Sequence, residues 1–342
     1  MEQNPVVVVN EYRAQQAKAN RDYAKAVRYT SVARDAAISD GDNWSYCRNS
    51  YNMAHLQYAL GRIDDCIRTL EDLVEHPAIA EYPELVAQAR ILLAHALQDN
   101  GASERAVDVA EYASNAVQDQ SGQLRLKLQH SLISTLAEKG EVEAAWEEAL
   151  VLNDLISCDM DSRASGIAYW SIGNAGFMSG RIEEGQKYHH KAAESLVAVG
   201  DVNLWALFNK AATNMRLEAG LIDNETLDSL ERAEVAISVS DGNVADKLEI
   251  VLARAHWEYA TGNHATAERL LRAVADQAKD LFPFIQAQAF QLLAGCLLRT
   301  GRTSEALKCA RKSSRLFEES GASERMSQVK VMIDRILEDP GL

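Results

Sequence analysis

The stretch from Tyr169 to Ala192, YWSIGNAGFMSGRIEEGQKYHHKA, decides the fold. Two helix-like segments meet in it at Gly180, where the pattern asks for a residue that tolerates positive φ and ends the first helix. Outward from that point the same punctuation stands at Gly140, Gly101 and Gly61, and at Gly220, Gly262 and Gly301, with Asn20 in the equivalent place at the start. Successive spacings from Asn20 are 41, 40, 39, 40, 40, 42 and 39 residues. A period that steady marks a repeat architecture. Between the turns lie second marks rich in Asp, Asn, Ser, Gly or Pro, at 40–43, 77–83, 120–122, 158–161, 200–201, 240–243, 283 and 320–323, each the end of one hairpin and the N-cap of the next.

The chain therefore parses into hairpins near 5–40, 43–77, 82–120, 122–159, 162–200, 202–241, 243–280 and 282–320. A last segment, 323–338, carries Met326, Val329, Ile333, Ile336 and Leu337 at helical spacing with charges between them, the pattern of a cap that shields the end of a stack. Gly341 falls where a further repeat would turn. A globular chain of 342 residues would split into domains, whereas a stack of repeats extends one thin core, so a single domain over 1–342 is expected.

Composition narrows the partners. With 35 basic against 50 acidic residues the net charge is −15, which repels nucleic-acid phosphate and anionic lipid. No run of 18 apolar residues exists, and MEQNPVVVVNEY lacks the basic and apolar regions of a signal peptide, so a cytoplasmic protein is expected, with no direct nucleic-acid or membrane partner. Cys47, Cys66, Cys158, Cys296 and Cys309 are scattered and never form a CxxC pair, the pattern of small core residues rather than of a disulfide framework or a zinc site.

Within each hairpin the residues resemble the tetratricopeptide repeat. Seven before the turn Gly, where that family wants a small residue, stand Ala54, Ala94, Gly173, Ala255 and Ala294; five after it, at the family's most characteristic Ala, stand Cys66, Ala106, Ala145, Gly185, Ala267 and Ala306. Small residues suit these places because the paired helices cross closely there. Three repeats depart: Lys25 precedes Ala26 in repeat one, Thr213 and Glu225 occupy the small positions of repeat six, and Arg254 stands in repeat seven where its neighbours carry Met53, Leu93, Leu132, Ile172 and Leu293. The resemblance implies an all-α fold, a right-handed α-solenoid or superhelix of about eight tetratricopeptide-like hairpins plus a C-terminal capping helix. Units of about 40 residues are longer than the usual 34 and look like the sensor solenoids of bacterial transcription regulators, the maltose-regulator type and the peptide-pheromone receptors among them.

The resemblance also implies that the first helix of each hairpin lines a concave groove. Six residues before the turn Gly the chain reads His55, His95, Ser134, Asn174, Asn214, His256 and Gly295, with Ala14 in repeat one: a polar ladder suited to an extended ligand. The family itself favours Asn at this place; histidine at three of the positions is beyond that preference. Ten before the Gly come Tyr51, Ile91, His130, Trp170, Lys210, Leu252 and Gln291, and thirteen before it Arg48, Gln88, Lys127, Ile167, Leu207, Glu249 and Gln288. With Tyr58, Phe177 and Tyr259 these make an aromatic and polar surface of mixed sign. The expected ligand groove is thus Arg48, Tyr51, His55, His95, Lys127, His130, Trp170, Asn174, Phe177, Lys210, Asn214, His256 and Tyr259, although any single aromatic among them suits packing between hairpins equally well.

Some tetratricopeptide proteins hold a partner's C-terminal carboxylates with a Lys and Asn, then an Asn, then a Lys and Arg. Lys210 and Asn214 match the first element, but Ala253, Gln288 and Leu292 depart from the rest, so a chaperone-tail adaptor is not indicated. Lys127 and Lys210 remain two cations for an anionic ligand group.

Nothing reads as an enzyme. Asp64-Asp65, Glu147-Glu148, Glu183-Glu184, Glu318-Glu319 and His189-His190 are adjacent pairs whose members diverge by about 100° on a helix. His190 and Glu194 are two would-be metal ligands without a third, and no nucleophile–base, Walker-type or GxGxxG motif stands in context. No cofactor or metal is expected. Two functions remain: a bacterial sensor or regulatory module that takes a peptide, a small ligand or a protein segment in its groove, with no helix-turn-helix of its own, and a protein-protein scaffold without a small ligand. A homodimer would form through the solenoid ends, where the apolar stretch Pro5 to Val9 either pairs with another chain or, the preferred reading, packs on Ala26 and Tyr29.

Overall fold

The computed structural model describes residues 4–116, 122–157, 159–239, 244–279, 281–320 and 322–338. Among them the chain forms seventeen α-helices and no strand. They pair in chain order: α1 (Pro5–Ala19) with α2 (Tyr23–Ser39), α3 (Asn43–Ala59) with α4 (Ile63–Glu75), α5 (Pro83–Asp99) with α6 (Ser103–Asn115), and α7 (Gly122–Lys139) with α8 (Val142–Asp154). Then come α9 (Ser162–Met178) with α10 (Ile182–Val197), α11 (Val202–Glu218) with α12 (Asn224–Val239), α13 (Val244–Ala260) with α14 (His264–Gln277), α15 (Pro283–Arg299) with α16 (Thr303–Glu319), and finally α17 (Ser323–Glu338). Neighbouring first helices also touch, as a stack of hairpins requires: α3, α5 and α7 in one run and α9, α11, α13 and α15 in another. The packing gathers into two units, Met1–Met160 and Asp161–Leu342. The turn residues Ser121, Ser240–Asn243 and Gly321, together with Cys158 and Gly341, lie outside the described residues.

The turns explain the period. At Gly180 φ is +74, the Gly180 amide donates to Phe177 O at 3.1 Å and the Arg181 amide to Gly176 O at 2.8 Å. That pair of bonds satisfies the last carbonyls of α9 and needs a left-handed residue at its centre. The second helix then starts two residues on. At the start of the chain the left-handed residue is Arg21 (φ 58), whereas Asn20 has φ −83. This corrects the register of repeat one by a residue: Ala26 falls five after the turn residue and is fully buried, and Ala14, placed in the ladder above, falls at the first small position. The apparent departure at Lys25 vanishes.

The small residues are where helices meet. Ala54, Ala94, Ala255, Ala294, Cys66, Ala106, Ala145, Ala267 and Ala306 all have 0% exposure. Repeat five goes further and uses glycine at both positions. A Cβ on Gly173 would lie 2.2 Å from His189 Cδ2, and one on Gly185 2.7 Å from Phe177 Cδ2, so the missing methyls make room for an inserted imidazole and phenyl ring.

Repeat six departs for a polar reason. Its second helix begins four residues after Gly220 rather than two, so Thr226 and not Glu225 is buried at the crossing. Arg216, one of the largest fully buried side chains, donates from Nη2 to both oxygens of Asp223 at 2.9 Å and from Nε to Thr226 Oγ1 at 2.8 Å, and it pairs with Glu225 at 3.1 Å. A buried guanidinium is tolerable only with such charge-assisted partners. Arg254 is explained in the same way, by a two-pronged pair to Glu234 at 2.8 and 2.6 Å.

At the ends, Val7 packs with Ala33, Ala37 and Tyr46, not with Ala26 and Tyr29, while Val6, Val8 and Val9 are exposed. Helix α17 seats Val329 and Met326 against Phe317, Ala310 and Ala294, and buries Ile336; Leu337, expected on the same apolar side, is 52% exposed. Cys47, Cys66 and Cys296 are buried free thiols, and burial raises the Cys66 thiol to about 12.

Candidate ligand cleft

In the second unit the positions six, ten and thirteen residues before the turn glycines meet around a cleft of about 580 Å³. Asn214 and His256 come from the first register, Leu252 and Gln291 from the second, Glu249 and Gln288 from the third. Helical geometry brings them together: offsets of three, four and seven residues share one face, and α11, α13 and α15 lie side by side. Leu217, Phe284 and Leu292 add apolar floor, and the volume falls within the range of small-ligand and peptide sites.

Three polar lining residues lie outside those registers. Glu218 ends α11, and Arg325 and Gln328 come from α17, which therefore walls the cleft as well as capping the stack. Arg325 Nη2 donates to Glu218 Oε1 at 2.6 Å across 107 residues of sequence. The amphipathic pattern of 323–338 shows an apolar side but not what its polar side meets, which is why sequence reasoning missed them.

The cleft's polar groups are of two kinds. Asn214, Gln288, Gln291, Gln328 and His256 have no side-chain partner among the described residues, so each keeps its donors and acceptors for a ligand. The charged groups are paired. Lys210, expected as a free cation, donates to Asp246 at 2.6 Å and Glu249 at 2.5 Å. Burial by itself would lower the Lys210 ammonium, and the two carboxylates more than offset this and hold it above its usual range. Lys210 is thus an internal tie and not an anion anchor. His256 is held below the usual imidazole range by burial, between the opposing fields of Glu218 and Arg325.

Other expected groove residues serve the packing. Phe177 is buried against His189, with ring centres 5.0 Å apart. Asn174 accepts from His189 Nε2 at 2.9 Å, so it steadies a buried imidazole that burial lowers to about 3. Trp170 stands edge-on to Phe208 at 5.8 Å, and Tyr259 lies over Gly295 and beside His264. Phe177 and Tyr259 fill the space that Gly185 and Gly295 leave at the crossings.

In the first unit some polar side chains of the same registers are engaged internally, while Gln88, His95, Lys127 and His130 have no side-chain hydrogen bond or ion pair among the described residues. Arg48 pairs with Glu11 at 2.5 Å and lies over Trp44; Tyr51 Oη and His55 Nε2 are 2.9 Å apart; Tyr58 Oη donates to Asp99 at 2.6 Å. His95 and His130 share this face, and both imidazoles are lowered by the protein crowded round them, His130 also by the field of His95. His130 and Lys127 remain exposed, so the depression of His130 is that of a partly hydrated ring. The Glu138 carboxyl is raised by burial and by Asp99. Among the described residues no three His, Cys, Asp or Glu side chains are placed to hold a metal ion, and no helix is long and apolar enough to cross a membrane. His190 meets Glu194 at 3.2 Å on an exposed face of α10.

The fold is that of the tetratricopeptide repeat proteins. The chain is similar to the apo form of the quorum sensor NprR from B. thuringiensis, with a TM-score of 0.65 and 12% identity over 92% of this chain and 89% of that one. It is similar to a tetratricopeptide repeat protein from Parabacteroides merdae (TM-score 0.59, 10% identity, 86% and 100% covered) and to a Rap protein complexed with Competence and Sporulation Factor (0.55, 13%, 99% and 88%). No protein-family model and no curated protein matches the sequence.

Proposed function

We propose that the protein is a non-catalytic sensor or regulatory module that takes an extended peptide or protein segment in the cleft formed by α11, α13, α15 and α17. One observation carries the reading: four carboxamides and an uncharged imidazole, none with an internal side-chain partner among the described residues, line a single cleft of about 580 Å³. A carboxamide offers a donor and an acceptor side by side, which matches the alternating N–H and C=O of an extended backbone, and Leu252, Phe284 and Leu292 supply apolar contact beside them. Two of the similar structures are a quorum sensor and a Rap protein bound to Competence and Sporulation Factor, which agrees with this reading at the level of fold.

The test is to pan a random peptide library against the protein and measure the enriched peptides on the triple variant Asn214→Ala/Gln288→Ala/Gln291→Ala. Each lost hydrogen bond is worth about 1 kcal/mol, so binding should weaken about 100-fold, whereas Tyr51→Phe/His55→Ala should leave it unchanged. Equal affinity of the triple variant and the wild type overturns the cleft.

A second reading, a protein-protein scaffold, is favoured by a different feature. Val202, Trp205, Val235 and Val239 line an apolar recess of about 550 Å³ on α11 and α12, with Val235 and Val239 65% and 71% exposed. If Val235→Asp abolishes capture of a partner that the triple cleft variant still captures, the scaffold reading replaces the sensor.

A further inference from the structure

The cleft already holds a guanidinium, and it comes from the chain itself. Arg325 projects from the first turn of α17, lines the cleft, and places Nη2 2.6 Å from Glu218 Oε1 on α11. The α17 helix is otherwise seated on the α15–α16 hairpin through Val329, Met326, Met332 and Ile333, so this ion pair is what ties its N-terminal end back to α11. Both side chains keep substantial exposure, 35% for Arg325 and 42% for Glu218, so the pair can be reached and exchanged by a group entering from solvent.

The surrounding charges favour a cation at this point. Glu249, also in the lining, shares Lys210 with Asp246, so three carboxylates face two basic groups along this wall. A ligand carboxylate would add to an excess that is already negative. A ligand cation placed on Glu218 would restore the arrangement Arg325 now provides, with Gln328 one turn along α17 and the uncharged His256 beside it as further hydrogen-bonding groups.

We infer that the Glu218 corner is a recognition subsite for a guanidinium-bearing side chain of a bound peptide, that Arg325 is its internal stand-in, and that binding exchanges one for the other and frees the start of α17. The inference rests on the peptide-cleft reading above and adds the side chain that the peptide must carry. Atoms and charge are conserved in the exchange: Glu218 trades one guanidinium for another, and Arg325 returns to solvent.

The experiment uses three sub-libraries of N-acetylated, C-amidated hexapeptides randomised at five positions, with Arg, Gln or Glu fixed at the sixth, each passed over the immobilised full chain. Wild-type protein should retain the Arg set above the Gln and Glu sets, by less than the roughly tenfold of a charge-assisted hydrogen bond because each Arg peptide must displace Arg325. Arg325→Ala should strengthen retention of the Arg set further by removing the competitor, and Glu218→Gln should erase the preference. The exchanged pair Glu218→Arg/Arg325→Glu rebuilds the tie with its sign reversed and should turn the preference toward the Glu set, an outcome that a merely structural role would not produce. Hydrogen exchange in residues 323–330 should quicken when an Arg peptide binds. Equal retention of the three sets by the wild type, or an Arg preference that survives Glu218→Gln, overturns the inference and leaves the peptide cleft standing. Retention of none of the sets overturns both.

Discussion

The same three registers of the first helices produce different surfaces in the two units. In the first unit Arg48, Tyr51 and His55 are engaged with one another or with Glu11, beside Gln88, His95, Lys127 and His130, which have no such partner among the described residues. In the second, Asn214, His256, Gln288 and Gln291 face a cleft with no side-chain partners among the described residues. A register says which way a side chain points along a helix; whether it is free depends on the neighbouring helix, where a partner of matching length either stands opposite or does not.

The comparison extends to burial, where the largest effect is expected. Arg216 in the second unit is enclosed, so Asp223→Ala, which strips its two-pronged partner, should cost about 3 kcal/mol in chemical denaturation. Glu11→Ala, which removes the partly buried partner of Arg48 and Asn49 in the first unit, should cost about 1 kcal/mol. Comparable losses from the two substitutions would mean that the Arg216 network is hydrated and that the contrast between the units is false.

Gly173→Ala is the next largest and the most discriminating against sequence-based expectation. The family places a small residue here and most repeats of this chain have Ala, and Ala should favour the helix by about 1 kcal/mol over Gly. Yet its Cβ would press on His189 at 2.2 Å, so a net loss of about 2 kcal/mol is expected. Ala94→Gly in the first unit should cost about 1 kcal/mol through propensity and lost packing. Recovery of most of the Gly173→Ala loss in the double variant with His189→Ala would identify the inserted ring as the cause, and no recovery would exclude it.

Near neutral pH the smallest effect is that of His189, and it grows as the pH falls. His189 is kept neutral by burial, its folded value near 3 lying below the ordinary 6.5. A base depressed in this way is protonated more readily in the unfolded chain. Its contribution is therefore complete above about pH 6.5 and is lost as pH falls toward 3, by about 1.4 kcal/mol per pH unit for this one group. His189→Gln should flatten the stability profile between pH 6.5 and 4.5, whereas His55→Gln, at an exposed site in the first unit, should change it little. An unaltered slope in His189→Gln would show that this histidine is protonated in the folded protein.

Much of the fold can be read from local chemistry. A residue that must take positive φ recurs every 39 to 42 positions, small residues stand at fixed offsets from it, and Asp or Asn precedes many helices. Each of these requirements is met within one hairpin, so a single sequence carries them without knowledge of the neighbours. Even the error at Asn20 was local: Asn tolerates the left-handed region better than Arg, yet Asn20 is the C-cap at φ −83 and Arg21 takes that conformation.

The candidate site was only half legible. Asn214, His256, Leu252, Gln291, Glu249 and Gln288 follow from helical periodicity, because orientation along a helix is set by 100° per residue. Three things required the tertiary structure: that Lys210 is spent on Asp246 and Glu249, that Phe177 and Asn174 serve His189, and that Arg325 reaches Glu218 from 107 positions away. Pairing between side chains depends on distances across helices, and those are fixed by how the hairpins stack. The sequence by itself determined the repeat, its turns and its crossings; only the packed chain decided which polar groups were left open to a ligand.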